Sequence, residues 1–536
     1  MKKPIKLNNL KENTKESIEK ITEEALKEIS LDEDLEKNIQ ILEKIFQHCD
    51  DVNKKTLHIE GNKKGIIFFL SGITDEKSIV NFIINPLLKN EGVVLEKIKG
   101  NPRYIEEYLL VNHSVEKISD LYGGVIGVLE GKALLLIDGY STGYTIEVRE
   151  YPTRDVQEPI TQTLVRGPRE GFTEGIKDNL ALIRKRIKTP DLKIEKKEIG
   201  HLTKTSVAIC YIQNLVDPKV LEEVKVRLDK IKIDAILDSS TIEQLIEDSS
   251  FSPFPQIGNT ERPDAAVSAL IEGRVCIVVD GSPFVLIVPQ VLVDMLHITE
   301  DYYERFYFST AIRLLRYLAF GLSLLGPSLY VAITTFHHEM IPTKLLVSIA
   351  AARQGIPFPA FLEALMMEIA FEALREAGVR LPKPIGQAVS IVGALVIGEA
   401  AVQAGLVSQI MVIVVAGTGI ASFTVPAFNI GIAIRLLKIP ILLLSSVLGL
   451  FGVSIAVIAI SIHLSTLRSF GVPYLSPIAP LTLQDNKDVI LRGPVWWINQ
   501  RPTYIAKNNV VKLKSGGEMK PQKPQAEEEK DVQKTS

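Results

Sequence analysis

Between Arg316 and Leu464 the chain changes character, and that change limits what it can fold into. Arg316–Phe336 carries no charge after its first residue, and Gln387–Leu406 and Gln409–Phe428 are almost as apolar. Pro440–Leu464 is longer and has no ionisable group before His463. A bilayer core of ~30 Å is crossed by about 20 apolar residues as helix, so four spans are predicted. Pro359–Gly378 differs: Glu368, Glu372 and Glu376 recur every four residues among Leu, Met, Ile and Phe. It predicts an amphipathic helix at the interface or at a pore mouth.

The first half is polar, and its pattern repeats. Polar residues and a helix over Leu31–Gln47 occupy 1–55. Gly65–Leu70, Gly124–Leu129 and Ala133–Ile137 read as strands and Glu76–Leu88 as a helix, which together predict an α/β or α+β subdomain over 56–150. Val207–Ile212 matches the first strand, and Asp217 stands where Asp75 does. Glu130-Gly131-Lys132 returns as Glu272-Gly273-Arg274, and Asp138-Gly139 as Asp280-Gly281, each 142 residues later (272 − 130 and 280 − 138). Two matches at one offset predict a second, related subdomain over 201–300. A linker and helix fill 151–200, the membrane domain spans 301–465, and a cytosolic segment covers 466–514. The tail, 515–536, is polar and expected to be disordered.

Composition removes several classes of function. A net charge of −3 gives no footprint for nucleic acid. Cys49, Cys210 and Cys276 are too far apart for a zinc motif, and His337-His338 lacks the i,i+4 spacing of a zinc helix. No P-loop, dinucleotide fingerprint or nucleophile elbow occurs, so neither an enzyme nor a cofactor or metal site is expected. The N-terminus has no apolar signal-peptide core, which places the soluble half in the cytosol. Arg305, Arg313 and Arg316 before the first span put that side inside. Arg435 and Lys438, between the third and fourth spans, fit that topology poorly, and 430–438 reads alternatively as a half-helix in the interface.

Candidate functional residues lie in both halves. Glu399 and Gln403 sit one turn apart in a small-residue span, and a charge at that depth costs at least ~2.5 kcal/mol unless it faces protein or water. Glu399 is either protonated against a neighbouring helix or part of an ion path. Thr418 and Ser422 share one helix face and either line a water path or bond a carbonyl one turn back. Glu368 and Glu372 are candidates for a pore mouth. Arg154, Arg166, Arg169, Arg184 and Arg186 form a candidate docking set for an acidic surface or lipid headgroups, or else an exposed linker.

Several stretches resemble a known family. Tyr151-Pro-Thr-Arg, Arg166-Gly-Pro-Arg-Glu-Gly-Phe, Ser252-Pro-Phe-Pro-Gln, Glu261-Arg-Pro-Asp, Val396-Ile-Gly-Glu-Ala-Ala-Val-Gln-Ala-Gly and Pro494-Val-Trp-Trp resemble the A subunit of GerA-type spore germinant receptors, over about 50–505. The resemblance implies a protein of the bacterial endospore inner membrane; four spans with the N-terminus inside put the C-terminus on the core side too, in agreement with Arg468, Arg492 and the lysines from Lys507 onward. The resemblance further implies a multi-pass B subunit and a lipoprotein C subunit as partners. It also implies a homo-oligomeric ring, a pentamer, that conducts ions in nutrient-triggered germination. The sporulation protein SpoVAF, an amplifier of germination, shares the architecture, and a non-conducting receptor scaffold is the other reading. The family carries no catalytic residues to transfer.

Overall fold

A computed structural model describes residues 23–59, 63–85, 87, 114–150, 158–159, 161–382, 393, 396–482, 484–498, 500–507 and 509–512. The chain divides into two compact units. The first takes in 1–295 with 427–437 and 455–474, and the second the remainder.

Among the described residues, the first unit contains two five-stranded antiparallel sheets. After a short helix at Glu23–Glu28 comes helix α1 (Leu35–Ile45), N-capped by the Asp34 carboxylate on Glu36 N–H. Strands β1 (Val52–Ile59) and β2 (Lys63–Leu70) follow, then a helical turn at Glu76–Ser78 that runs on as a π-helix, Ile79–Ile84. Next come β3 (Val115–Ile118), α2 (Leu121–Leu129), β4 (Lys132–Ile137) and β5 (Gly143–Glu147). The order across the sheet is β1-β2-β4-β5-β3. Successive side chains of a strand point to opposite faces. Here Ile66, Phe68 and Leu70 enter one core while Ile67 and Phe69 enter another. Burial on both faces explains the unbroken apolar run GIIFFL.

The second lobe repeats this arrangement. It consists of α3 (Ile176–Arg186), β6 (Leu192–Ile199), β7 (Thr205–Ile212), α4 (Pro218–Lys230), α5 (Ser239–Ile246), β8 (Gly258–Thr260), α6 (Pro263–Ile271), β9 (Val275–Val279) and β10 (Val285–Val288). Its strand order, β6-β7-β9-β10-β8, is that of the first sheet. Even the register is the same: Ile67 faces Leu135, and Ile209 faces Ile277, each 142 residues on (209 − 67 and 277 − 135). Asp75 and Asp217 both cap helices, on Lys77 and Lys219 N–H. The Asp138 carboxylate accepts from Leu35 N–H at 3.5 Å, as Asp280 does from Ile176 N–H at 3.1 Å. The helix within 151–200 thus corresponds to α1.

Gly124–Leu129, expected as a strand, belongs to α2. Asp120 caps that helix on Gly123 N–H at 2.7 Å, and Gly127 lies so close to β5 that a Cβ would meet Thr145 Cγ2 at 2.6 Å. The Glu-Gly-Lys/Arg signature is a helix stop. Gly131 (φ 89°) and Gly273 (φ 95°) take the left-handed conformation that ends α2 and α6.

The helical part comprises α7 (Phe306–Phe336), α8 (Thr343–Arg353), α9 (Ala360–Arg380), α10 (Gln409–Phe423), α11 (Phe428–Leu448) and α12 (Leu450–Thr466). Residues 396–403 are also helical, whereas 387–392 of the expected second span lie outside the described residues. Among the described helices, α7 and α11 have the length and hydropathy to cross a membrane; α10 and α12 are apolar but shorter. The expected span at 440–464 is broken at Gly449, whose φ of 59° ends α11 and allows α12 to start. A half-helix at 430–438 is not present, because those residues lie inside α11. In the second unit α9 packs against α7 and α10 within the bundle. A core of Val331, Ala360, Ala364, Met411, Val415 and Leu442 joins these helices to α11.

Candidate functional site

Helix α9 carries six ionisable side chains, Glu363, Glu368, Glu372, Arg375, Glu376 and Arg380, and each is paired. Glu363 is fully buried, at 0% exposure. It accepts from Arg353 Nε at 3.2 Å and from Ser408 N–H at 2.8 Å, at the start of α10. Glu368 pairs with Lys438 of α11 at 3.0 Å and 3.1 Å, and both side chains are largely buried. Lys438 therefore needs no water-facing position. Glu372 pairs with Arg375 at 3.3 Å and Glu376 with Arg380 at 2.6 Å. The stripe expected to be acidic is a row of ion pairs.

Arg375 also gathers aromatic and hydroxyl groups. Its guanidinium lies 5.0 Å from the Phe371 ring centre and 5.2 Å from that of Phe423, and it donates to Ser422 Oγ at 3.2 Å. Ser422 donates to the Gly419 carbonyl at 2.6 Å. Thr418, buried, donates to the Val415 carbonyl at 2.9 Å. Its methyl fills the space that a Cβ on Gly326 of α7 would need. Both hydroxyls thus bond carbonyls in their own helix.

Glu399 and Gln403 are placed differently. Both are exposed on helix 396–403, and Gln403 Nε2 donates to Glu399 Oε1 at 3.1 Å. Of the six ion-path candidates, these two are exposed as whole residues; the Glu372 side chain is also 46% exposed, but it is paired with Arg375. The structure thus brings Glu372 and Ser422 together through Arg375, ties Glu368 to Lys438, and joins Glu399 to Gln403.

At the base of α7, Arg313 and Arg316 are buried against Asp301. Arg316 makes two bonds to its carboxylate, at 3.0 Å and 3.1 Å, and Arg313 also reaches Asp488 at 3.1 Å. These arginines, read from sequence as the positive charge marking the inner side of the first span, serve to fasten the C-terminal segment to α7. His297, bonded to Val489 O at 3.0 Å, belongs to the same cluster. Burial, with Arg313 nearby, pushes its imidazole down to about 3.

The docking arginines do not form one surface. Arg154 lies outside the described residues. Arg166 and Arg169 are exposed, Arg169 at 4.0 Å from Glu158. Arg186 donates to the Leu182 carbonyl and to Glu170. Arg184 is 1% exposed and grips Asp51, itself 3% exposed, through two bonds of 2.9 Å and 3.0 Å. Helix α3 is sandwiched by its own lobe, through Leu180, Leu182 and Ile183, and by the first lobe, through Ala181, so Arg184 faces inward while Lys185 and Arg186 pair with Glu170.

Sequence reasoning missed Glu363, Arg353, Arg375 and Lys438 as a set. The available signal was four ionisable groups inside an apolar region, each needing a partner. Within the first unit it also missed Glu243 of α5, which accepts from Asn429 of α11 at 3.3 Å. Burial lifts that carboxyl to about 7; hydrogen bonding to Asn259 opposes the shift and the nearby Glu247 and Asp238 add to it.

The sequence profile of the Bacillus/Clostridium GerA spore germination proteins matches residues 40–504. Spore germination protein KA of Bacillus subtilis is 48% identical over 85% of this chain and 83% of its own length. The uncharacterized membrane protein YfkQ of Bacillus subtilis is 44% identical over 89% of this chain and 92% of its own. The crystal structure of the N-terminal domain of the A subunit of the Bacillus megaterium spore germinant receptor GerK3 is 32% identical, covering 48% of this chain and 95% of that one, at a TM-score of 0.38.

Proposed function

Because the chain belongs to the Bacillus/Clostridium GerA family of spore germination proteins, we propose that it is a germinant-receptor A subunit that conducts cations. In this reading it acts with a multi-pass B subunit and a lipoprotein C subunit. Copies of the chain, five in the family's pattern, form a ring in the endospore inner membrane with both termini toward the core. Nutrient binding elsewhere in the receptor opens the ring.

The observation that supports conduction is the Glu399–Gln403 pair. A carboxylate and an amide on the outer face of a helix in an apolar domain must meet protein or water, because lipid contact costs at least ~2.5 kcal/mol. In a ring, the outer face of one protomer becomes an inner wall, and a ring of acids favours cations. The carboxylates of α9 are paired with cations and suit packing better than conduction.

Early potassium release from spores carrying Glu399→Gln tests this, with protein levels matched by blotting. Glutamine keeps the hydrogen bond to Gln403 and removes the charge. Loss or altered ion selectivity of early release, with the receptor assembled, supports the conduction path. Normal release moves the reading to a scaffold that couples nutrient binding to core partners. The extent of ion pairing in α9 favours that second reading.

A further inference from the structure

The loop after α5 is built to hold one aromatic ring in the open. Gln256 clamps its base: its Oε1 accepts from Ser249 N–H at 2.9 Å, and its Nε2 donates to the Ser249 carbonyl at 2.8 Å. Phe254 is buried, and Pro253 and Pro255 fix the backbone on both sides of it. Three residues from that anchor, Phe251 has a relative exposure of 102%. A phenylalanine left in water forgoes burial worth about 1.5–3 kcal/mol, so a rigid loop that presents one calls for an apolar neighbour.

The surroundings identify that neighbour. Ser252 Oγ lies 2.9 Å from His463 Nε2, and the Phe254 ring centre is 6.1 Å from that of His463. His463 is in the last turn of α12, whose Ile455, Ile458 and Ile462 are exposed. The hairpin that follows, β11 (Arg468–Ser469) and β12 (Val472–Pro473), is docked on the same lobe through Ser469, which donates to the Gln256 carbonyl at 2.7 Å. Arg468 of this hairpin is exposed. Asn429, the second residue of α11, bonds Glu243 of the same lobe; Phe428, adjacent to Asn429, and Leu245, two residues from Glu243, are exposed. Alongside the exposed aliphatics of α12, the loop that touches its last turn carries Phe251 and the hairpin that follows the helix carries Arg468. These three chemistries suit the hydrocarbon, the interface and the headgroup phosphate of a bilayer.

The geometry points to the 249–254 loop as a bilayer anchor: Phe251 enters the boundary between headgroups and acyl chains, and Arg468 faces lipid phosphate. This assignment rests on the reading of α11 and α12 as membrane helices. A preformed loop inserts its ring with little ordering cost, which fixes the height of the second lobe against the membrane.

The three native cysteines are buried, so an introduced one can be labelled alone. Full-length Phe251→Cys and Ile458→Cys chains, each carrying an environment-sensitive fluorophore, are reconstituted in phosphatidylglycerol/phosphatidylethanolamine vesicles. The fluorophore is then quenched by iodide or by nitroxide lipids. We expect the label at 251 to lie within ~10 Å of the headgroup boundary, quenched by headgroup-proximal nitroxide and shielded from iodide. The label at 458 should respond to nitroxide deep in the acyl chains. Iodide quenching at 251 with lipid quenching at 458 overturns the anchor alone. Energy transfer between labels at 251 on different copies, without lipid quenching, replaces lipid by a second protomer and also overturns it. Absence of lipid quenching at both positions overturns the membrane reading of α12 and the anchor with it.

Discussion

Replacing Asp51 by Asn strips the carboxylate that grips Arg184 while leaving the shape of the site intact. Arg184 would then hold its charge on neutral acceptors, the carbonyls of Thr189 and Leu192, each 3.2 Å from Nη1. Breaking a buried pair on one side costs about 3–5 kcal/mol, because the surviving charge has lost both water and partner. Replacing both by apolar residues of similar size is far milder. Asp51→Asn should therefore destabilise the first unit by about 3–5 kcal/mol, and Asp51→Leu with Arg184→Met should recover at least ~2 kcal/mol of that. Pulse proteolysis of the full chain in nanodiscs across a urea series gives the free energies. Hydrogen exchange at the Asp50–Ile194 and Ile194–His48 backbone bonds, 2.9 Å each, reports where the lobes part. A single variant within about 0.5 kcal/mol of the parent, or a double variant that simply sums the two losses, would refute this account of the junction.

Gly326→Ala should cost about 1–3 kcal/mol by pushing α7 off α10, and Thr418→Ala in the same chain should restore most of it, read as thermal midpoints of the single and double variants. Glu243 has its carboxyl raised from 4.5 to about 7, so the folded state favours the neutral acid. Its contribution is fully present below pH 4.5 and lost as pH rises through about 7, up to about 3 kcal/mol, and Glu243→Gln should flatten that pH dependence between about pH 4.5 and 7.5. Lys438→Met should be more damaging than Lys438→Met combined with Glu368→Gln, by about 2 kcal/mol, because the single change leaves Glu368 without its cation; midpoints of reconstituted protein decide it.

Local features were legible where one segment determines its own shape. The GIIFFL run, the Asp-Gly turns and the 142-residue echo all come from positions that repeat a backbone requirement. Helix α2 was misread because a short apolar run with two glycines fits a strand as well as a helix; the deciding feature, the Asp120 cap, lies just outside the run. The break at Gly449 was hidden because the apolar run is uninterrupted there. Partnerships were not legible at all. Glu368 and Lys438 are 70 residues apart, and Asp51 and Arg184 are 133 apart, so periodicity presents each as a charge in search of water.

Helix α3 carries a consequence for how the chain is made. It begins the second lobe, yet Ala181 closes the core of the first, and the turn at Gly72 lies so near that a Cβ there would meet the Lys177 carbonyl at 3.0 Å. During synthesis the first sheet emerges from the ribosome before the helix that seals it. Its strands are complete by Glu147, but the apolar patch awaiting Ala181 and the carboxylate awaiting Arg184 stay open for nearly forty more residues. Until α3 is made, the amino-terminal lobe exposes this patch, and a truncation placed between the two repeats leaves a sheet with an unsealed face.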